Sequence, residues 1–123
     1  MDLSQAGPEL QAKAADTFPR ARATTTRAIE KGLKIALGTD APAIPHGRNA
    51  DEFELMVQHG MKPVEALKAA TVNAADLLGL SDEIGTIAPG KSADIVAVAG
   101  DPVADVGVLK TLDFVMARGR VID

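Results

Sequence analysis

A short apolar run that ends in Gly-Thr-Asp constrains the fold more than any other feature of this sequence. Ile35–Leu37 is too brief for a helix, follows Gly32, and leads into Gly38, Thr39 and Asp40. A buried strand that ends in this way places a carboxylate at its carboxyl end, where α/β sheets and barrels collect catalytic and ligand-binding groups. We therefore predict Asp40 to be catalytic or metal-ligating, and the alternative is an aspartate that only caps a turn.

Helices are predicted before this strand. Pro8 suits a first helical position, and the apolar spacing in 9–18 is helical. Pro19 is expected to interrupt this helix. A second helix is predicted over 20–31, and Gly32 should close it.

Three more helices are predicted after the strand, over residues 50–59, 63–70 and 72–78. Asn49 and Glu52 match a reciprocal capping pair for the first of them, and Gly60 and Gly79 should end the first and the third. Val64 is expected on the buried side of the middle helix. The alternation of helix, strand and helix indicates an α/β fold with a parallel sheet or barrel.

The last third of the chain has a different, β-rich character. A buried strand is predicted over residues 93–99, followed by two short strands over 112–116 and 119–122. The last two form a possible hairpin around Arg118-Gly119, and Pro89-Gly90 fits a type II turn. We therefore predict two parts, residues 1–79 and residues 80–123.

Composition narrows the class of function. Hydrophobic residues make up 46% of the chain, enough for a core, whereas aromatic residues at 2% argue against binding by base stacking. The net charge of −4, without a dense basic cluster, argues against nucleic acid as a partner. Cysteine is absent, which excludes disulfides and thiolate metal sites and favours the cytoplasm. No apolar run approaches the ~18 residues of a membrane span, and we expect no membrane association.

Three motifs occur in a recognisable order. Gly38-Thr39-Asp40-Ala41 precedes His46-Gly47, Thr71-Val72-Asn73-Ala74-Ala75 follows, and residues 85–96 read GTIAPGKSADIV. In this order and spacing they resemble the carboxyl-terminal part of a metal-dependent amidohydrolase, from the imidazolonepropionase-like and Xaa-Pro dipeptidase-like branch. The resemblance covers residues 20–123 approximately.

The resemblance implies a fold and a chemistry. Residues 1–79 would be the last strand-helix part of a (β/α)₈ TIM barrel, and residues 80–123 would be the carboxyl-terminal half of a small β-sandwich. The family hydrolyses C–N bonds of amides, cyclic amides or dipeptides through a metal-bound hydroxide. By resemblance, Asp40 would ligate a divalent metal or hydrogen-bond the metal-bound hydroxide, and it would act as the proton shuttle. One or two divalent ions are expected, with zinc as the expected metal.

Two more residues are candidates for binding a small amide or dipeptide substrate. The resemblance implies that His46 borders the substrate, and the alternative is a histidine in a surface loop. Arg48 could pair with a substrate carboxylate, and the alternative is a solvated arginine in a loop.

Several family features are missing from this chain. The other metal ligands include a His-x-His pair, whereas this sequence contains only His46 and His59. A complete barrel takes about 250 residues, and this chain has 123. We therefore expect the chain to form homo-oligomers or to join a complementing barrel segment. The alternative to an enzyme is a non-catalytic structural fragment, in which an unpaired strand edge recruits the partner.

Overall fold

A computed structural model of the chain describes residues 7–40 and 45–122. Within them it contains helices α1 (Pro8–Glu30), α2 (Asp51–Gln58), α3 (Pro63–Ala70) and α4 (Val72–Leu77), and strands β1 (Ile95–Ala97), β2 (Phe114–Ala117) and β3 (Arg120–Val121). A 3₁₀ helix (Val106–Lys110) lies between β1 and β2. Residues 1–6, 41–44 and 123 lie outside the described residues, and with them Ala41 of the Gly38-Thr39-Asp40-Ala41 motif.

Helix α1 is continuous, which corrects the predicted interruption at Pro19. Pro19 lies inside the helix, which ends at Glu30. A proline removes one backbone hydrogen bond, but the alanine-rich sequence on both sides has a high helix propensity, and the helix continues through it. Gly32 has a φ of 65°, and its N–H bonds to the Ile29 carbonyl, so it closes the helix as predicted.

Residues 33–40 are extended but belong to no strand, so the predicted buried strand at Ile35–Leu37 is wrong as a hydrogen-bonded element of this chain. Residues 35–37 of this segment are half-buried, whereas residues 33, 34, 38 and 40 are exposed. The contacts that hold residues 35–37 include the hydrogen bonds from the Leu37 N–H to the Ala69 carbonyl at 2.9 Å and from the Asn73 Nδ2 to the Ile35 carbonyl at 2.9 Å. A strand needs a neighbour to pair with, and the described residues provide none here.

The bounds of α2, α3 and α4 agree with the sequence prediction to within two residues, and those of α3 match it completely. Gly60 and Gly79 have φ values of 96° and 70° and end α2 and α4. The buried face of α3 differs from the prediction, because Ala66 and Ala69 are buried whereas Val64 is 38% exposed. The small alanines allow α3 to approach α2 closely.

The tail forms an antiparallel sheet in the order β1-β2-β3. Ile95 pairs with Met116 and Ala97 with Phe114, while Ala117 pairs with Arg120. The predicted hairpin is present, with Arg118 and Gly119 at φ values of 50° and 76°, as a primed turn requires. The predicted strand over 93–99 is shorter and more exposed than expected.

The core of the described chain is small. Its centre is formed by Met56, Met61, Ala66 and Ala69, against which Ile29, Ile35, Leu37, Phe53 and Val57 pack. Across residues 7–40 and 45–122, no helix has both the length and the apolar character needed to cross a bilayer.

Candidate functional site

Asp40 ends the extended segment in an unusual backbone conformation. Its side chain is exposed and its φ is 50°, one of two positive values among the described non-glycine residues. Positive φ is uncommon outside glycine, although aspartate tolerates it better than most residues. Such residues concentrate at functional sites. The backbone conformation therefore supports Asp40 as a candidate functional residue, although the strand predicted to carry it is not formed.

Asn49, which lies just before α2, contacts Thr39, the residue next to Asp40. The Asn49 Nδ2 donates a hydrogen bond to the Thr39 Oγ1 at 3.3 Å. Asn49 does not cap α2, because the N-cap is Ala50 and no side chain caps it, so the predicted pair with Glu52 is wrong. The Asn49 side chain instead connects the entrance of α2 to the end of the extended segment.

A cavity of about 430 Å³ opens beside Asp40. It lies between the end of the extended segment, α2 and the 3₁₀ helix. Its walls include Gly38, Thr39, Asp40, Pro45, Arg48, Asp51, Glu52, Glu54, Leu55, Gln58 and Lys110. Most of these side chains are polar or charged, and the size of the cavity is that of a site for a small molecule.

Four charged side chains form a connected group on one wall. The Arg48 Nη2 and Nε lie 2.7 Å and 2.8 Å from the Asp51 Oδ2. The Lys110 Nζ lies 3.3 Å from the Asp51 Oδ1 and 2.6 Å from the Glu54 Oε2. The two positive and two negative charges of this group cancel. Asp40 and Glu52 are the other acidic side chains of the cavity wall.

These contacts shift the ionisation of the group. Hydrogen bonds from Arg48 and then Lys110 hold the pKa of Asp51 below its usual range. The hydrogen bond to Glu54 raises the pKa of Lys110. Burial raises the pKa of Glu52, and the nearby charge of His59 offsets part of this rise. At neutral pH, Asp51 is therefore ionised and Lys110 is protonated.

Of the three site residues predicted from the sequence, Asp40, His46 and Arg48, only Asp40 and Arg48 line the cavity. Asp40 and Arg48 share the cavity wall, and the Arg48 guanidinium is already bonded to Asp51. His46 is exposed in the turn that precedes Arg48. Lys110 was not identified from the sequence, because 56 positions separate it from Glu54 and no local pattern marks that contact.

The described residues do not form a metal site by themselves. Among them, no three histidine, aspartate or glutamate side chains lie together as a metal ion would require. Asp40 fits as a single oxygen donor, exposed at the cavity. A metal at this position would need its other ligands from residues that the described part of the chain lacks.

Comparison with known proteins gives a consistent result. A model of the amidohydrolase family matches residues 7–122. The crystal structure of a Xaa-Pro dipeptidase with methionine bound in its active site superposes with a TM-score of 0.91 and 41% identity, over 98% of this chain and 30% of that one.

Sequence relatives carry related names. An imidazolonepropionase of Thermoplasma acidophilum is 33% identical over 114 residues, which is 87% of this chain and 26% of the relative. An ochratoxinase of Aspergillus niger is 40% identical over 85 residues, covering 68% of this chain and 17% of the relative. The chain thus spans 30% or less of the length of these relatives.

Proposed function

The chain belongs to the amidohydrolase family, and from this we propose that it is the carboxyl-terminal part of a hydrolase that cleaves a C–N bond. The substrate would be a small amide, a cyclic amide or a dipeptide, and one of the solved structures similar to this chain is a Xaa-Pro dipeptidase. The observation that carries the proposal is Asp40, an exposed carboxylate with a φ of 50° beside a cavity of about 430 Å³.

In the proposed mechanism, Asp40 acts as the general base. One carboxylate oxygen accepts a proton from the water that attacks the carbonyl carbon. The same carboxyl group then returns this proton to the nitrogen as the C–N bond breaks. A positioned proton acceptor of this kind contributes typically 10²–10⁴-fold to the rate. The exposed position of Asp40 gives water direct access to it.

A divalent metal is part of the proposal at the level of the family, with zinc as the proposed ion. When bound, such an ion lowers the pKa of a coordinated water to about 7. Asp40 would supply one donor, and the other ligands would come from outside the described residues, which hold no metal-binding group of their own.

Arg48 and His46 are proposed to contact the substrate. Arg48 lines the cavity and binds Asp51 through Nε and Nη2, so the N–H groups of its Nη1 and the second N–H of its Nη2 remain to donate to a substrate carboxylate. His46 lies two residues earlier in the same exposed turn, from which it would reach the outer part of a bound substrate.

The proposal is tested in a chimaera. Residues 7–122 of this chain would replace the matching 30% of the Xaa-Pro dipeptidase, with which they superpose at a TM-score of 0.91. We expect the chimaera to hydrolyse Xaa-Pro dipeptides. Asp40→Asn should lower kcat/KM by about 100-fold or more, because asparagine keeps the shape but cannot accept the proton.

Asp82→Asn is the matched control, since Asp82 is an exposed aspartate in a turn away from the cavity. It should leave kcat/KM unchanged. Turnover of Asp40→Asn close to that of the unsubstituted chimaera would refute the role of Asp40.

A second candidate function is a non-catalytic subunit that completes a partner or associates with its own copies. The segment at residues 33–40, which pairs with no strand of the described chain, favours this second function, because an unpaired strand edge can recruit a partner. An inactive chimaera that nevertheless folds and assembles would favour this second function.

A further inference from the structure

We propose that Lys110, in the β-rich tail, is a positioning residue for Asp40. The proposal rests on the proposed function, in which Asp40 is the proton shuttle. Lys110 lines the cavity with its ammonium group bound to Glu54 and Asp51, and its proposed role requires no contact with the substrate. It would hold the first turn of α2, and this turn would hold the end of the extended segment on which Asp40 stands.

The first step is the contact between the 3₁₀ helix and α2. Lys110 ends the 3₁₀ helix, and its Nζ lies 2.6 Å from the Glu54 Oε2 and 3.3 Å from the Asp51 Oδ1. Both acids belong to the first turn of α2. One ammonium group therefore bridges two carboxylates on the same helix end, which fixes the helix more firmly than a single surface ion pair would.

The backbone of the 3₁₀ helix lies close to the Glu54 carboxylate at Gly107. A Cβ placed on Gly107 would lie 3.0 Å from the Glu54 Oε1 and 3.0 Å from the Asp105 Oδ1. The Asp105 Oδ1 in turn accepts the Gly107 N–H at 2.8 Å. Glu54 is thus held between the glycine backbone and the Lys110 ammonium, so the two elements meet in a defined arrangement.

The second step leads from α2 to Asp40. Asp51, which Lys110 contacts through Oδ1, binds the Arg48 guanidinium through Oδ2. The Asp51 N–H also bonds to the Arg48 carbonyl at 3.0 Å. Between them lies Asn49, whose side chain donates to the Thr39 Oγ1 at 3.3 Å.

Asp40 follows Thr39 directly and has a positive φ, a conformation that needs support from its surroundings. Displacement of the α2 entrance would move Asn49 and weaken the contact to Thr39. Errors of about 1 Å in the position of a catalytic group can reduce rates by about 10²-fold. Lys110 therefore acts on Asp40 through α2 and Asn49.

The first test uses the full chain, labelled with ¹⁵N. In Lys110→Met we expect the signals of the Asn49 side-chain amide and the Thr39 backbone amide to shift, and Lys110→Arg should largely restore them. Lys68→Met is the matched control, because Lys68 pairs with Glu65 on α3, away from the cavity. Shifts confined to Asp51 and Glu54, with Thr39 and Asn49 unchanged, would overturn the proposal.

The second test measures kinetics in the chimaera. Lys110→Met should lower kcat by about 10-fold or more with KM little changed, Lys110→Arg should recover most of the activity, and Lys68→Met should match the unsubstituted chimaera. An unchanged kcat, or a rise in KM alone, would overturn the positioning role.

Two provisions keep the result interpretable. If circular dichroism shows that Lys110→Met does not fold, Glu54→Gln replaces it, since it removes the 2.6 Å ion pair and leaves the lysine in place. If the unsubstituted chimaera is inactive, the proposed function fails. The link from Lys110 through α2 to Thr39 is then tested by the NMR signals of Thr39 and Asn49 alone.

Discussion

Glu52 lies on the cavity wall, and its half-buried carboxyl group has a pKa raised above its ordinary value of 4.5 by burial. A raised pKa means that the folded chain binds the proton more tightly than the unfolded chain does. The folded state is therefore favoured while the group is protonated, and this advantage is lost as the pH rises through the folded pKa. At neutral pH the ionised carboxylate opposes folding.

We expect Glu52→Gln to raise the melting temperature at pH 7, because the neutral amide avoids the desolvation of a charge. The advantage should shrink as the pH falls toward 4.5 and disappear below it, where the native carboxyl group is protonated as well. The difference in melting temperature is measured by circular dichroism between about pH 3.5 and pH 7. This range runs from about one unit below the ordinary pKa of a glutamate to two to three units above it. An equal gain at both ends of the range would contradict the assignment.

Single residues also show what the sequence could and could not reveal. Asp40 was chosen as a candidate site residue because a short apolar run with a Gly-Thr-Asp ending is a local pattern. Glu54 forms an ion pair with Lys110. The lysine itself could not be found, since its contacts depend on how the tail folds back over α2.

At the scale of elements, the turn after α4 is packed against that helix through a glycine. Gly85 has a φ of 90°, and a Cβ there would lie 2.7 Å from the Ala75 Cβ and 3.2 Å from the Thr71 carbonyl oxygen. Neither neighbour can move aside, because one is attached directly to the backbone and the other belongs to it. The turn can approach α4 this closely only because residue 85 is a glycine.

We therefore expect Gly85→Ala to destabilise the chain by about 3 kcal/mol, from a positive-φ penalty of 1–2 kcal/mol plus overpacking. Gly90→Ala is the matched control, since Gly90 has a φ of 87° but an added Cβ there would meet no other atom within 4 Å. It should show only the backbone penalty. Urea unfolding of both variants measures the difference, and equal losses would show that the close contact with Ala75 contributes nothing.

Helix bounds were predicted well where the ends carry strong local signals. Pro63 begins α3, while Gly32, Gly60 and Gly79 follow helix ends with positive φ. The break at Pro19 was wrong, because a proline weakens a helix but does not by itself end one of 23 residues. The strand at Ile35–Leu37 was wrong because pairing is a property of two segments, and its neighbours are absent from the described chain.

At the scale of the whole molecule, apolar surface remains uncovered. Ile87 is 83% exposed and Leu77 is 75% exposed. A second cavity of about 530 Å³ lies between α4 and β1, with Leu78, Ile87 and Val96 in its lining. Exposed large apolar side chains are typical of surfaces that contact another protein.

We expect the isolated chain to self-associate, as the unpaired segment and the exposed apolar residues both favour. Ile87→Ser should increase the monomer fraction in sedimentation velocity, with little effect on thermal unfolding, because Ile87 makes few buried contacts. Thr86→Ala is the control at an adjacent exposed position. A single monomeric species in the unsubstituted chain would contradict the expectation.

The centre of the core has a chemical consequence. Of the four residues that form it, two are methionines, Met56 and Met61, with exposures of 6% and 8%. Oxidation turns a methionine thioether into a polar sulfoxide, which disrupts an apolar core. The other two are alanines, which cannot fill the space if a methionine withdraws. Oxidation of either thioether would therefore damage this fold at the point where α2 and α3 meet, and a methionine sulfoxide reductase would be needed to repair it.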